Sequence, residues 1–282
     1  MKKRNLVLSV MATCLVSCFL LSGCNGQKQI DSETVKTVKV EEQAHLQDDT
    51  VSPTCQITID YSYLAKSDAA DSIVQRINRT IQAHILGKEY TRMNPEVAVD
   101  SFKNTYINNY RKDVNEFYQE DIKNGTPKDE LPTWYNYEYG LTTYFSEGKE
   151  GILNFIAETF EYTGGAHPNS WNKWMNFEKN TGKLLAVKDL FMAGSEKPIS
   201  DMLLEELITE MATRLEDSSI TSLEGLQNAG ILNSTNMYVP DNFLLEKEKV
   251  SFLYNKYDIA PYAVGIMTSS LPYNSVEKYM IH

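Results

Sequence analysis

The sequence predicts an α+β protein of two small subdomains, each an antiparallel sheet of hairpins packed with one or two helices. Three observations predict it: stretches of alternating polarity come in groups, helical-period stretches fall in pairs between them, and no strand–helix–strand repeat sets up a parallel sheet.

The first element is a leader. Met1 to Arg4 is basic, Leu6 to Leu21 is apolar, and Leu21-Ser22-Gly23-Cys24 follows, the pattern of a bacterial lipoprotein signal peptide. The apolar run is short for a membrane span of ~20 residues. Residues 1–23 are therefore expected to be cleaved, with Cys24 as the lipid-attachment residue. Acyl chains there hold the protein on a membrane at ~0.8 kcal/mol per buried methylene. The expected location is the cell envelope, at the outer membrane or cell surface rather than the inner membrane. Residues 24–50 are polar without a sustained period and read as a flexible tether, in which Asp49-Thr50-Val51 resembles an acceptor site for O-linked sugars.

A first α+β domain is expected over residues 51–164. Thr54 to Tyr63 alternates as a strand, with Cys55, Ile57, Ile59, Tyr61 and Tyr63 on one face. Ile73, Val74, Ile77, Ile81 and Ile85 recur at helical spacing across Ser67 to Leu86, and Gly87 stops that helix. Asn94-Pro95 suits a helix entry, and Val99, Phe102, Tyr106, Tyr110, Val114 and Phe117 mark a longer helix ending near Asn124-Gly125. Trp134 to Ser146 and Gly151 to Thr163 read as a hairpin over a glycine-containing turn.

The second domain, residues 165–282, begins with a hairpin of Trp171 to Glu178 and Leu184 to Val187 around Asn180-Thr181-Gly182. A helix from Ile199 to Leu215 buries Met202, Leu203, Leu207, Ile208 and Met211, and a shorter one runs from Leu223 to Ala229. Met237 to Leu245, Val250 to Tyr254 and Ala263 to Leu271 close the chain as strands.

Charge restricts the partners. Loss of Lys2, Lys3 and Arg4 with the leader deepens the net charge from −11 to about −14, which repels nucleic acid and attracts basic macromolecules. Of four cysteines, Cys14 and Cys18 leave with the leader and Cys24 is acylated, so Cys55 is the one remaining thiol and reads as a buried hydrophobe.

No spacing of histidines or cysteines suits a metal, and no Gly-x-Ser-x-Gly, Gly-x-x-x-x-Gly-Lys or Gly-x-Gly-x-x-Gly motif is present. The sequence therefore calls for no metal, no cofactor and no catalytic residue. One loop stands out, Tyr162-Thr163-Gly164-Gly165-Ala166-His167-Pro168-Asn169. Adjacent glycines let the backbone approach another strand or a ligand, and Pro168 holds His167 extended. His167 is then either a structural corner or a ligand contact, and Gly164, Gly165, His167, Asn169 and Asp189 are the candidate ligand-binding residues. Seventeen tyrosines and three tryptophans are mostly core, and an exposed row among them would suit stacking on sugar rings.

This loop continues through Asn176 to Lys183 and Asp189-Leu190-Phe191, and a second block comprises Asn242-Phe243, Val250 to Tyr254, Tyr257 to Gly265 and Leu271-Pro272-Tyr273. In that order the blocks resemble the RsiV/PdaC type of envelope domain, known as the ectodomain of a lysozyme-sensing anti-sigma factor and the non-catalytic part of a peptidoglycan deacetylase. The resemblance covers roughly Thr54 to Met280. The chain lacks the sigma-binding segment and membrane span of the one and the metal-binding catalytic domain of the other, so neither activity carries over. What the resemblance implies is a binding or sensing module for a cell-wall-related ligand, either a lysozyme-like basic protein or a peptidoglycan fragment. The alternative is a glycan or glycan-ester hydrolase using His167 with a carboxylate such as Asp189 or Glu158.

Overall fold

A computed structural model describes residues 35–65, 71–233 and 237–281. The leader, Cys24 and His282 lie outside the described residues. The α+β class holds: among the described residues a five-stranded sheet and a three-stranded sheet lie among six helices.

The first sheet has the order β1-β2-β3-β4-β5, formed by Val35–His45, Thr54–Leu64, Tyr137–Glu147, Ile152–Tyr162 and Asn169–Glu178. β1 corrects the expected tether. Val35 to His45 pairs antiparallel with β2 along its whole length, from Val35 opposite Leu64 to His45 opposite Thr54. The segment alternates Val38, Val40 and Ala44 against charged residues, a half-buried strand pattern that its polar composition masked. Asp49-Thr50-Val51 consequently sits in the β1–β2 turn, where Asp49 Oδ1 accepts the Val51 and Ser52 N–H groups.

β2 and β3 are parallel, a second departure from the expected hairpins. A parallel pair needs a long crossover, and the two helices between these strands supply it: α1, Asp71–Ile85, and α2, Pro95–Lys123. Both pack on the face formed by Cys55, Ile57, Ile59 and Tyr61, all fully buried, together with Val74, Ile77, Ile81, Val99 and Tyr110. Asn94 caps α2 by accepting the Glu96 N–H. The buried stripe of α2 runs on to Tyr118, whereas Phe117 is exposed and packs edge-on against Trp134. Over 29 residues the 3.6-residue period moves the stripe off a fixed spacing.

The expected boundary at residues 164/165 cuts this sheet, because β5 pairs with β4 from Asn169 opposite Glu161 to Glu178 opposite Ile152. The return strand expected at Leu184 to Val187 is reduced to one bridge, Phe177 to Leu184. There the chain turns into the short helix α3, Val187–Leu190, with Asp189 Oδ2 accepting the Ala186 N–H.

The second sheet, β6-β7-β8, consists of Phe243–Leu245, Lys249–Tyr254 and Met267–Pro272. β6 is shorter than expected because Pro240 cannot donate to a ladder. β8 starts late because Pro261 leads a 3-10 turn, Tyr262–Val264. Helix α4, Glu196–Arg214, contributes Ile199 and Leu203 to a core with Phe243, Phe252 and Leu271. Its later turns, Leu207 and Met211, join α5, Leu223–Asn228, in a cluster around Leu226, Tyr254 and Ile259. The last helix, α6, is Tyr273–Val276.

The sheets meet along the outer side of β5. Three asparagine side chains take the place of a backbone ladder there. Asn176 Nδ2 donates to Phe243 O (2.8 Å) and its Oδ1 accepts the Leu245 N–H (2.7 Å). Asn242 Oδ1 accepts the Trp174 N–H (2.7 Å) and its Nδ2 donates to Asn172 O (2.9 Å). Asn255 repeats the pattern with both backbone groups of Asn172, at 2.7 and 3.0 Å. A primary amide offers the same donor and acceptor pair as a peptide unit, so each side chain satisfies strand groups that would otherwise be orphaned.

Candidate functional site

This junction fixes what lies at its Asn255 end. The loop 163–168, entering β5, faces the segment 255–265 that links β7 to β8. His167 stacks on Tyr262, with ring centres 3.8 Å apart and planes 21° off parallel. Tyr262 OH donates to Pro168 O at 2.6 Å, which ties the two segments together. Lys256 Nζ lies 4.4 Å from the centre of the same ring and donates to Ser170 Oγ at 3.1 Å. Tyr257 stands beside them, its ring 5.8 Å from that of Tyr262 and its side chain 60 % exposed.

Two backbone features hold this platform. Gly164 has φ +83°, and a Cβ there would lie 2.4 Å from Trp134 O, so only glycine suits both the conformation and the contact. Tyr257 also has positive φ, +70°, although it carries a side chain that disfavours it. The turn imposes this geometry: Asp258 Oδ2 accepts the Asn255 N–H at 2.7 Å, and Asn255 O accepts the Asp258 N–H at 3.1 Å.

The structure separates the sequence-predicted residues. Gly164, Gly165, His167 and Asn169 lie on or beside the platform, with His167 and Asn169 exposed. Asn169 Oδ1 accepts the Ser170 N–H, and Asn169 starts the pairing with β4. Asp189 is elsewhere, beyond the turn that follows the far end of β5, a strand of ten residues spanning ~30 Å. It is a capping residue, bonded to Lys183 Nζ at 2.7 Å and to the Ala186 N–H at 2.9 Å, and the Lys183 contact first, then the backbone bond, lowers its carboxyl pKa.

The ring nitrogens of His167 meet Pro168 O at 3.4 Å and Tyr257 OH at 3.5 Å, both long. Neither Asp189 nor Glu158 is its partner: Glu158 accepts instead from Tyr144 OH at 3.4 Å. The groove beside Glu158, lined also by Gly140, Phe160, Ser170 and Asn172, is broad and open. Cys55 is fully buried in the core, and burial pushes its thiol up to about 12. Among the described residues, no three His, Cys, Asp or Glu side chains gather as a metal site, and no helix is long and apolar enough to cross a membrane.

Sequence reasoning missed Tyr257, Tyr262 and Lys256 as neighbours of His167, and nothing local to either segment signals a contact across some 90 positions. The asparagines gave a readable signal. Asn is depleted in strands, so Asn176 and Asn242 in strand-like sequence required partners.

The two halves match different family models. Residues 50–170 match "Deacetylase PdaC", and residues 188–274 match "Protein of unknown function (DUF3298)". The chain is thus of the PdaC/RsiV domain type, a PdaC-like unit followed by a DUF3298 unit. A solved DUF3298 family member from Bacteroides fragilis is 27% identical, with TM-score 0.81, over 90% of this chain and 96% of its own. A DUF3298 family protein from Pseudomonas aeruginosa, 15% identical with TM-score 0.57 over 88% of this chain and 94% of its own, shares the fold. No curated protein matches the chain.

Proposed function

We propose that this protein is a lipid-anchored lipoprotein of the cell envelope, at the outer membrane or cell surface, that binds a cell-wall-related ligand on the His167–Tyr257–Tyr262 platform. The observation that carries this is Tyr257, a large ring held 60 % exposed at φ +70°. Left-handed backbone in a residue with a side chain costs of order 1 kcal/mol, and such strain is concentrated at functional sites. Aromatic faces beside an exposed imidazole suit the C–H faces of sugar rings and the peptide stems of wall fragments. The acidic balance, −11 over the full chain, also suits approach by a basic protein such as a lysozyme.

The test is calorimetric titration of the leader-free chain with soluble peptidoglycan fragments and with lysozyme. Binding to either is expected, and His167→Ala and Tyr257→Ala should each weaken it at least tenfold. Absence of heat with both ligands refutes the reading. Mass spectrometry of the N-terminal peptide separately tests acylation of Cys24.

A further inference from the structure

We propose that a cleft at the Val35 end of the first sheet binds the phosphate headgroups of anionic phospholipid, so that the folded body rests on the bilayer by this face. The inference rests on the lipoprotein reading above for the position of the membrane. The cleft encloses about 420 Å³ between β1, β2, α1 and the start of α2. Its floor is spent: buried Asn78 bonds both backbone groups of Leu64, and Gln82 Nε2 donates to Tyr90 O and Met93 O.

Its rim is basic. Lys36, Arg79 and Arg92 line it, all exposed, and among the described residues none of them forms an ion pair. Among the described residues the single carboxylate in the lining is Glu96, which already accepts from Tyr63 OH at 2.7 Å. Three cations and one engaged carboxylate thus line the cleft among the described residues, in a chain whose net charge is −11. The net charge repels anionic lipid, whereas this region attracts it.

The path of the chain places that region. Val35 pairs with Leu64 and Lys36 with Tyr63, so the polypeptide enters the folded body at the cleft itself. Residues 24–34 span at most ~40 Å when fully extended, at ~3.3–3.6 Å per residue. An acylated Cys24 therefore keeps the cleft within that distance of the headgroups and raises their effective concentration.

Two measurements test this. The leader-free chain with Cys24→Ser should sediment with vesicles containing about one-third phosphatidylglycerol and not with phosphatidylcholine alone. At ~1 kcal/mol per cation near an anionic surface, each of Lys36→Gln, Arg79→Gln and Arg92→Gln should weaken binding about fivefold and the triple variant about a hundredfold. Arg79→Lys and Arg92→Lys should retain it. In the acylated full-length mature protein, hydrogen exchange at residues 36–40 and 78–93 should slow on anionic vesicles only.

Equal binding to both vesicle types, or an unaffected triple variant, overturns the proposal. So does displacement by about 10 mM inorganic phosphate with no dependence on vesicle composition, which assigns the cleft to a free anion. A mature protein without acyl mass would instead defeat the lipoprotein reading, whatever the vesicle result.

Discussion

Asn176→Ala tests whether side-chain amides hold the two sheets together. Asn176 is 1 % exposed, and its two bonds, at 2.8 and 2.7 Å, are the partners of the Phe243 carbonyl and the Leu245 N–H. Alanine leaves both backbone groups buried and unpartnered, at ~1–3 kcal/mol each, so a loss of about 4 kcal/mol is expected. At ~2–4 °C per kcal/mol for a protein of this size, the melting temperature should fall by about 8–16 °C. Urea unfolding followed by tryptophan fluorescence and far-ultraviolet circular dichroism measures the loss. Asn242→Ala is the control: its partners are half-buried, water replaces the amide, and about 1 kcal/mol should be lost. Asn176→Asp keeps the acceptor for Leu245 but turns an anion toward the Phe243 carbonyl. It should be at least as unstable as the alanine variant at pH 7 and partly recover near pH 4, where a protonated carboxyl can donate. A loss below about 1 kcal/mol for Asn176→Ala, equal to that of the control, would refute the reasoning.

Three further outcomes are expected. Burial pushes Cys55 from its usual 9.0 up to about 12, and burial with the Asp121 contact pushes Tyr135 from 10.0 up to about 12. The unfolded chain then loses these protons first, so stability should be full below pH ~9 and decline from there toward 12; urea midpoints that stay level over that range, or native Cys55 labelled by iodoacetamide within minutes at pH 8, would contradict the burial. Tyr257→Gly relieves a φ of +70° and should raise stability by about 1 kcal/mol while abolishing ligand binding, and a variant that loses stability would show that the ring serves packing instead. Gly164→Ala puts a Cβ 2.4 Å from Trp134 O and should cost about 2–3 kcal/mol, with weakened binding because His167 moves; a variant as stable as the parent would mean that the loop is free to shift.

Much of the fold was legible because its core is periodic. Cys55 to Tyr63 alternated, and the strand, the burial and the inert thiol all followed from that. The helix pair and the β3–β4 hairpin were readable for the same reason. β1 was not, since an outer strand carrying Lys36, Lys39, Glu41 and Glu42 has the composition of a solvated segment, and only pairing with β2 makes it a strand. The parallel β2–β3 pair was equally hidden, because direction depends on which end of the sheet the long connection through α1 and α2 returns to rather than on any residue in the strands. At the site, Gly164-Gly165 and His167 were visible as a composition anomaly. Their partners Tyr257 and Tyr262 lay in a segment noted only for resemblance, and Asp189 was assigned to ligand binding when its work is local capping.

The whole-length pairing of β1 with β2 also matters for anyone preparing this protein. The family match starts at residue 50, so a recombinant version trimmed to that boundary discards β1 entirely. Eleven consecutive β2 residues, several of them fully buried apolar side chains, would then offer an unpaired backbone rim to the next molecule. Such a product should self-associate into dimers or larger species by light scattering, while one beginning at or before Val35 should remain dispersed.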